Sequence, residues 1–202
     1  MIEHEFDDLL HINTRADQKG MVTSFHYYPY EPTPYEALQW LFTQYTLSPN
    51  DHVVDYGSGK GRLAFFIHHL FQAAVVGVEM NEHFHKDALV NREYYLKKLK
   101  GKDADIHFYC CLAEDYKVKP VDNRFYFFNP FSIQIFMKIA NNILGSIEKH
   151  PREVELILYY GSEDYTYYLE NQTPFLLKEE ITIPNLYDKN PNERFLIYKW
   201  DY

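Results

Sequence analysis

Cysteine is nearly absent: Cys110 and Cys111 are the only two, and they are adjacent. Neighbouring cysteines close a disulfide only with strain, so no disulfide framework is expected and a reducing cytoplasm is the expected setting. Long apolar runs are missing too, and none approaches the roughly 20 residues a bilayer-spanning helix needs. The opening MIEHEFDDLL is acidic and lacks the basic start and apolar stretch of a secretory signal. Positive charge is in the minority, 20 Lys and Arg against 29 Asp and Glu. The resulting net charge of −9 repels phosphate backbones and disfavours a nucleic-acid partner. The one basic run, Lys97-Lys98-Leu99-Lys100-Gly101-Lys102, closes an expected helix, where lysine complements the helix dipole. His68-His69 and His83-x-His85 have no Cys or carboxylate at metal-site spacing, so no metal site is expected. Aromatic side chains, by contrast, are abundant: 19 Tyr, 15 Phe and 2 Trp. They exclude intrinsic disorder, and 202 residues suffice for one domain with a full core.

After residue 50 short β-rich runs alternate with helix-period stretches, the pattern of a mostly parallel α/β sheet. The strands fall at 52–55, 74–79, 105–110, 124–128 and 154–160. Leu63, Phe66, Ile67, Leu70 and Phe71 form one apolar helix stripe. Phe84, Ala88, Tyr95 and Leu99 mark a second helix, and a third runs from Ile133 to Ile147 behind the cap candidate Ser132. Two late runs, 175–183 and 194–200, are separated only by turn residues and predict an antiparallel hairpin. At the front, Thr33-Pro34-Tyr35-Glu36 reads as a capping box with proline at the first helical position. A single domain over 31–202 with an extension over 1–30 is the expected organisation.

The most informative stretch is Val53-Val54-Asp55-Tyr56-Gly57-Ser58-Gly59-Lys60-Gly61-Arg62. Glycines let a strand turn sharply into a helix and let a ligand approach the backbone. A Walker loop would need four residues between glycines and then Gly-Lys-Ser/Thr, which is not found. A dinucleotide loop would need glycine where Arg62 stands. Asp55 also opposes a pyrophosphate and favours a cationic ligand.

The string resembles motif I of class I S-adenosylmethionine-dependent methyltransferases, matching it at Asp55, Gly57, Gly59 and Gly61. The resemblance covers about residues 30–202 and implies a Rossmann-like α/β methyltransferase fold. In such a fold a mostly parallel seven-stranded sheet ends in an antiparallel strand. It implies that the loop, with Tyr56, wraps the amino-acid end of S-adenosyl-L-methionine. Glu79 ends the second strand about 20 residues after the glycines, where a carboxylate accepts hydrogen bonds from ribose hydroxyls. Met80 follows it among the implied cofactor contacts. Ala113-Glu114 resembles the small-residue and acid pair that meets adenine in this family, with Asp115 as a competing candidate.

Phe127-Phe128-Asn129-Pro130-Phe131 resembles the Asn/Asp-Pro-Pro-Tyr/Phe motif of nitrogen methyltransferases, with one proline fewer. It implies Asn129 and Pro130 at the transfer site; the alternative is a strand stop with Ser132 as helix cap. Tyr30, Glu31 and Thr33 are candidates for the methionine end or the substrate mouth. Tyr159, Tyr160, Tyr165, Tyr167 and Tyr168 are candidates for an acceptor pocket, or else for aromatic packing. The expected acceptor is a nitrogen, amine or amide, of a small molecule or a protein, and a weaker resemblance, to lysine methyltransferases reading Asp-x-Gly-Ser-Gly-x-Gly-Arg, makes a protein amine the expected choice. A non-catalytic cofactor-binding domain and a nicotinamide-dependent oxidoreductase are the rival readings.

Overall fold

The computed structural model describes residues 3–15, 31–100 and 103–200. Strands β1 (His52–Tyr56), β2 (Ala74–Glu79), β3 (Ile106–Cys110), β4 (Arg124–Phe128), β5 (Val154–Tyr159), β6 (Leu176–Thr182) and β7 (Arg194–Trp200) form one sheet. Its order is β3-β2-β1-β4-β5-β7-β6. The first five strands are parallel, and β7 runs antiparallel to β5 on one side and β6 on the other. The expected strands agree with these to within a residue or two. The hairpin is formed as expected, but its second strand lies inside the sheet and its first lies at the edge.

Helices cover both faces, which is why the central strands read as continuous apolar runs rather than alternating ones. Val53, Val75, Tyr126, Ile157 and Ile197 face a core built with α1 (Glu3–Leu10), α2 (Tyr35–Gln44), α3 (Arg62–Phe71) and α4 (Glu82–Lys98). Val54, Val76, Phe125, Phe127, Leu156 and Tyr198 face the opposite core, filled by α5 (Ile133–Lys149) and α6 (Glu163–Gln172). Tyr165 stacks on Phe136 at 3.8 Å and donates to the Phe131 carbonyl at 2.5 Å; Tyr168 is buried beside them, while Tyr167 is exposed. Tyr165 and Tyr168 are thus packing residues of α6, and Tyr167 is not.

The capping box is corrected. Helix α2 starts at Tyr35, its N-cap is Pro34, and no side chain caps it. The Thr33 hydroxyl lies instead 2.8 Å from the buried Tyr126 hydroxyl, and its carbonyl accepts from Arg62 Nη1 at 3.1 Å. A buried phenol and guanidinium take the Thr33 groups that the helix end would have used. Ser132 stands at the N-cap position of α5, its carbonyl accepting from Ile135 and Phe136, but its side chain makes no cap hydrogen bond.

Helix α1, unannounced by the periodicity, packs into the core of the domain. Phe6 stacks on Tyr35 at 4.8 Å and meets Phe66 edge-on at 5.3 Å. The buried Asp7 accepts from Tyr35 Oη at 2.7 Å and from the Thr14 amide and hydroxyl at 2.8 Å each. Replacing Phe6 by Ala is expected to cost about 3 kcal/mol, the range of a buried aromatic truncation, within one cooperative urea transition. A loss under about 0.5 kcal/mol, the range of surface changes, would show that α1 is a loose appendage.

Candidate active site

In a parallel sheet the carboxyl ends of all strands meet at one edge, and a crevice opens where successive crossovers leave to opposite faces. Here that point lies between β1, followed by α3 on one face, and β4, followed by α5 on the other. The glycine loop is inserted there. Gly57, Gly59 and Gly61 have φ of +80°, +52° and +87°, a region that side chains disfavour. A Cβ on Gly57 would stand 3.0 Å from Pro130, and one on Gly61 would stand 2.6 Å from the Phe108 ring.

The amides of the loop point back into the protein. Gly57 and Ser58 both donate to the Val78 carbonyl, at 2.9 and 3.1 Å, and Gly61 donates to the Ser58 carbonyl at 2.8 Å. Gly59 donates to Glu79 Oε2 at 2.9 Å. These donors are therefore not presented to an anion, as a phosphate-binding loop would present them.

The crevice is lined from the first unit by Asp55, Gly57, Ser58, Arg62 and Leu63. Glu31, Pro32 and Thr33 line it from the segment before α2, and Tyr126 and Phe128 from β4. Asp55 is 5% exposed, and no described residue donates to its carboxylate. Burial, and then the negative charge of Glu79, push its pKa up to about 8. The Ser58 hydroxyl is buried in the same crevice without a partner. Buried polar groups of a folded protein are normally paired, so two such groups facing one crevice point to a ligand. Arg62 is turned elsewhere: Nε donates to Thr14 at 2.8 Å and the guanidinium lies 4.4 Å over the Tyr35 ring. Lys60, also buried, donates to the Arg15 carbonyl at 3.1 Å and sits 3.6 Å from Asp87.

The other expected site residues stand at neighbouring strand ends, outside this crevice. Glu79 is buried, with Oε1 accepting from the Asn81 amide at 2.7 Å. Burial raises its pKa and its backbone hydrogen bonds oppose the rise. Met80 is half-buried beside it, its carbonyl 3.9 Å from the Cys110 thiol. Ala113 is buried at the start of a 3-10 turn, Ala113–Asp115. Glu114 lies 3.6 Å from Lys138, and its carbonyl accepts from Asn142. Asn129 has φ +37°, a left-handed backbone, and Pro130 is the residue pressed against Gly57. The Tyr56 ring faces the α5 core, stacked 5.1 Å from Phe127, so only its backbone belongs to the loop surface. Tyr30 lies outside the described residues. Among the described residues no group of His, Cys, Asp and Glu side chains is arranged to hold a metal ion.

Several residues that shape the site escaped the sequence reading. Gly77 in β2 pairs laterally with Asp55, and a Cβ there would meet Phe108 at 2.5 Å and Ser58 Oγ at 2.7 Å. A lone glycine inside an apolar strand is the signal that marked it. Asn91 on α4 joins the loop to the N-terminal segment, donating to the carbonyls of Lys60 and Asn13 and accepting from the Asn13 amide. Ser58 and Tyr126 carry no pattern of their own.

No family model and no curated protein matches the chain. Solved structures do match, at identities that speak for the fold. A candidate RNA methyltransferase from Pyrococcus horikoshii aligns with TM-score 0.57 at 16% identity, covering 98% of this chain and 97% of the other. Geranyl diphosphate C-methyltransferase from Streptomyces coelicolor, bound to S-adenosyl-L-homocysteine, aligns with TM-score 0.53 at 11% identity over 83% and 78%. A tRNA uracil methyltransferase from Pyrococcus abyssi, also bound to S-adenosyl-L-homocysteine, aligns with TM-score 0.52 at 15% identity. That match covers 82% of this chain, which spans 38% of the archaeal protein. The chain thus has the Rossmann-like fold of the class I methyltransferases.

Two outcomes follow from the geometry. The Asp55 pKa in the folded protein lies above its unfolded value near 4, so the folded state holds a proton that the unfolded state releases. Stability should therefore fall as pH rises from about 4 to 8. Asp55→Asn should flatten that fall and be about 1–3 kcal/mol more stable than wild type at pH 8 in urea denaturation, and nearly equal to it at pH 4. Gly61→Ala combines a left-handed backbone with a clash on Phe108, and should cost about 1–3 kcal/mol.

Proposed function

We propose that the protein transfers a methyl group from S-adenosyl-L-methionine to a nitrogen acceptor. The observation that carries this reading is the buried, undonated carboxylate of Asp55 beside a glycine loop whose amides are turned inward. A pyrophosphate would meet that carboxylate and no anion-binding amides from Gly57, Ser58, Gly59 or Gly61. An amino-acid ammonium would meet a counter-charge and displace the proton that burial keeps on Asp55. The Ser58 hydroxyl would take a second polar group of the same amino-acid end. Glu79 retains lone-pair capacity beyond its backbone hydrogen bonds for ribose hydroxyls. Met80, the Ala113 backbone and Glu114 would meet the nucleoside, as the resemblance implies.

The bound cofactor supplies an electrophilic methyl group on a sulfonium; the protein supplies position and exclusion of water. Pro130, packed on Gly57, holds Asn129 at the β4 end, where its side chain can accept from an N–H of the acceptor and aim the lone pair. No general base is required of an amine that loses its proton to water. Two of the similar proteins act by name on RNA or tRNA and one on geranyl diphosphate. The net charge of −9 and the acidic crevice favour an acceptor without phosphates. Free thiols at Cys110 and Cys111 fit a reducing compartment such as the cytoplasm.

Calorimetric titration is expected to show binding of S-adenosyl-L-homocysteine and none of NAD. Asp55→Ala should weaken the former by about 30-fold or more, close to 2 kcal/mol. Proton release should accompany binding at pH 7, with affinity rising toward pH 8 and level above it, and Asp55→Asn should abolish both effects. Asn129→Ala should lower turnover about 100-fold at unchanged cofactor affinity. Binding of NAD instead would favour an oxidoreductase, and cofactor binding without transfer to any amine would favour a non-catalytic domain.

A further inference from the structure

Beyond Phe128 the crevice meets an aromatic wall. The Phe128 ring lines the crevice together with Asp55 and Glu31. It lies 5.6 Å from the Tyr160 ring, the planes inclined at 59°, and 4.6 Å from the Tyr159 ring. Tyr160 follows β5 with a left-handed φ of +55° and is half-buried. Its hydroxyl donates to Glu193 Oε1 at 2.5 Å and accepts from Asn190 Nδ2 at 2.9 Å. Tyr159 donates to the other Glu193 oxygen, also at 2.5 Å. One carboxylate therefore holds both phenols, and the rings of Phe128 and Tyr160 are only half-buried. Burial, then Glu193, then Glu31 raise the Tyr160 hydroxyl, so the charge of Glu31 is felt at the wall. The cation of the crevice, Arg62, is directed at Thr14, Thr33 and Tyr35.

We propose that the Phe128–Tyr160 wall beside Glu31 is the acceptor subsite and that it selects a cationic primary amine. Two π faces and an exposed carboxylate attract an ammonium, whereas a phosphate-bearing acceptor would meet only negative charge and ring faces. The proposal rests on the methyl-transfer reading and adds the acceptor class to it. In the reaction the ammonium gives one proton to the Glu31 carboxylate and through it to water. The freed lone pair forms the N–C bond while the S–C bond breaks, and sulfur keeps that electron pair. The positive charge of the sulfonium thereby passes to the nitrogen, and a methylated ammonium and a thioether are the products.

Spermidine and an oligouridylate are titrated into the protein with and without saturating S-adenosyl-L-homocysteine, and methyl incorporation into both is read by mass spectrometry. Spermidine is expected to bind and to be methylated, and the oligouridylate to do neither. Tyr160→Leu should weaken spermidine binding by about 10-fold or more and Tyr160→Phe, which keeps the ring, by about threefold at most. Glu31→Gln, at an exposed position that leaves the fold intact, should weaken it about threefold to tenfold. S-adenosyl-L-homocysteine affinity should stay within about twofold in the two Tyr160 variants, whose side chain is not among those lining the crevice with Asp55. The subsite is overturned if the wild type binds S-adenosyl-L-homocysteine but not spermidine, or if the oligouridylate is the substrate. It is equally overturned if Tyr160→Leu weakens the cofactor as much as the amine. A wild-type protein that binds no S-adenosyl-L-homocysteine would overturn the methyl-transfer reading alone, and spermidine titration of the same variants would still decide the amine site.

Discussion

The glycine loop after β1 doubles back over the second strand, and the site around it depends on that fold. It can do so because Gly77 leaves room for the Ser58 hydroxyl and the Phe108 ring, and because Val78 and Glu79 accept the amides of Gly57, Ser58 and Gly59. With those donors turned inward, the crevice is left with carboxylate, hydroxyl and aromatic character. Asp55 then sits in low dielectric beside Glu79 and holds its proton near neutrality. A loop that aimed its amides outward would have made an anion site from much the same glycines.

The same loop is tied to the start of the chain. Lys60 reaches the carbonyl of Arg15, Arg62 reaches Thr14 and Thr33, and Asn91 of α4 bonds both Lys60 and Asn13. Asp7 in turn gathers Thr14 and Tyr35. Two buried cations, Arg62 in the crevice lining and Lys60 in the adjoining loop, would invite phosphate if they were free. Their engagement with backbone carbonyls and a hydroxyl keeps the acidic side of the crevice dominant.

Strand and helix positions were legible because β1, β2, β4 and β5 are covered on both faces and so read as short, mostly apolar runs between helix-period stretches. The three glycines were legible because positive φ and close approach admit few residue types. Helix α1 was not, since an eight-residue segment with Phe6 and Leu10 as its buried anchors has too little period to register. Thr33 misled for a related reason: its hydroxyl has a local partner in the sequence pattern and a better one, Tyr126, 93 residues away. The pairing of Tyr159 and Tyr160 on Glu193 is likewise a long-range fact, created when β7 lies down beside β5. No spacing rule contains it.

Placement of β7 between β5 and β6 has a consequence for synthesis. The strand that seals β5 is the seventh to emerge from the ribosome, after the one that will lie outside it. Until Arg194–Trp200 arrives, β5 carries an open backbone edge flanked by Leu156, Ile157 and Leu158, a template for wrong partners. Glu193, immediately ahead of β7, arrives with it, so the tyrosine wall becomes rigid only in the step that closes the sheet.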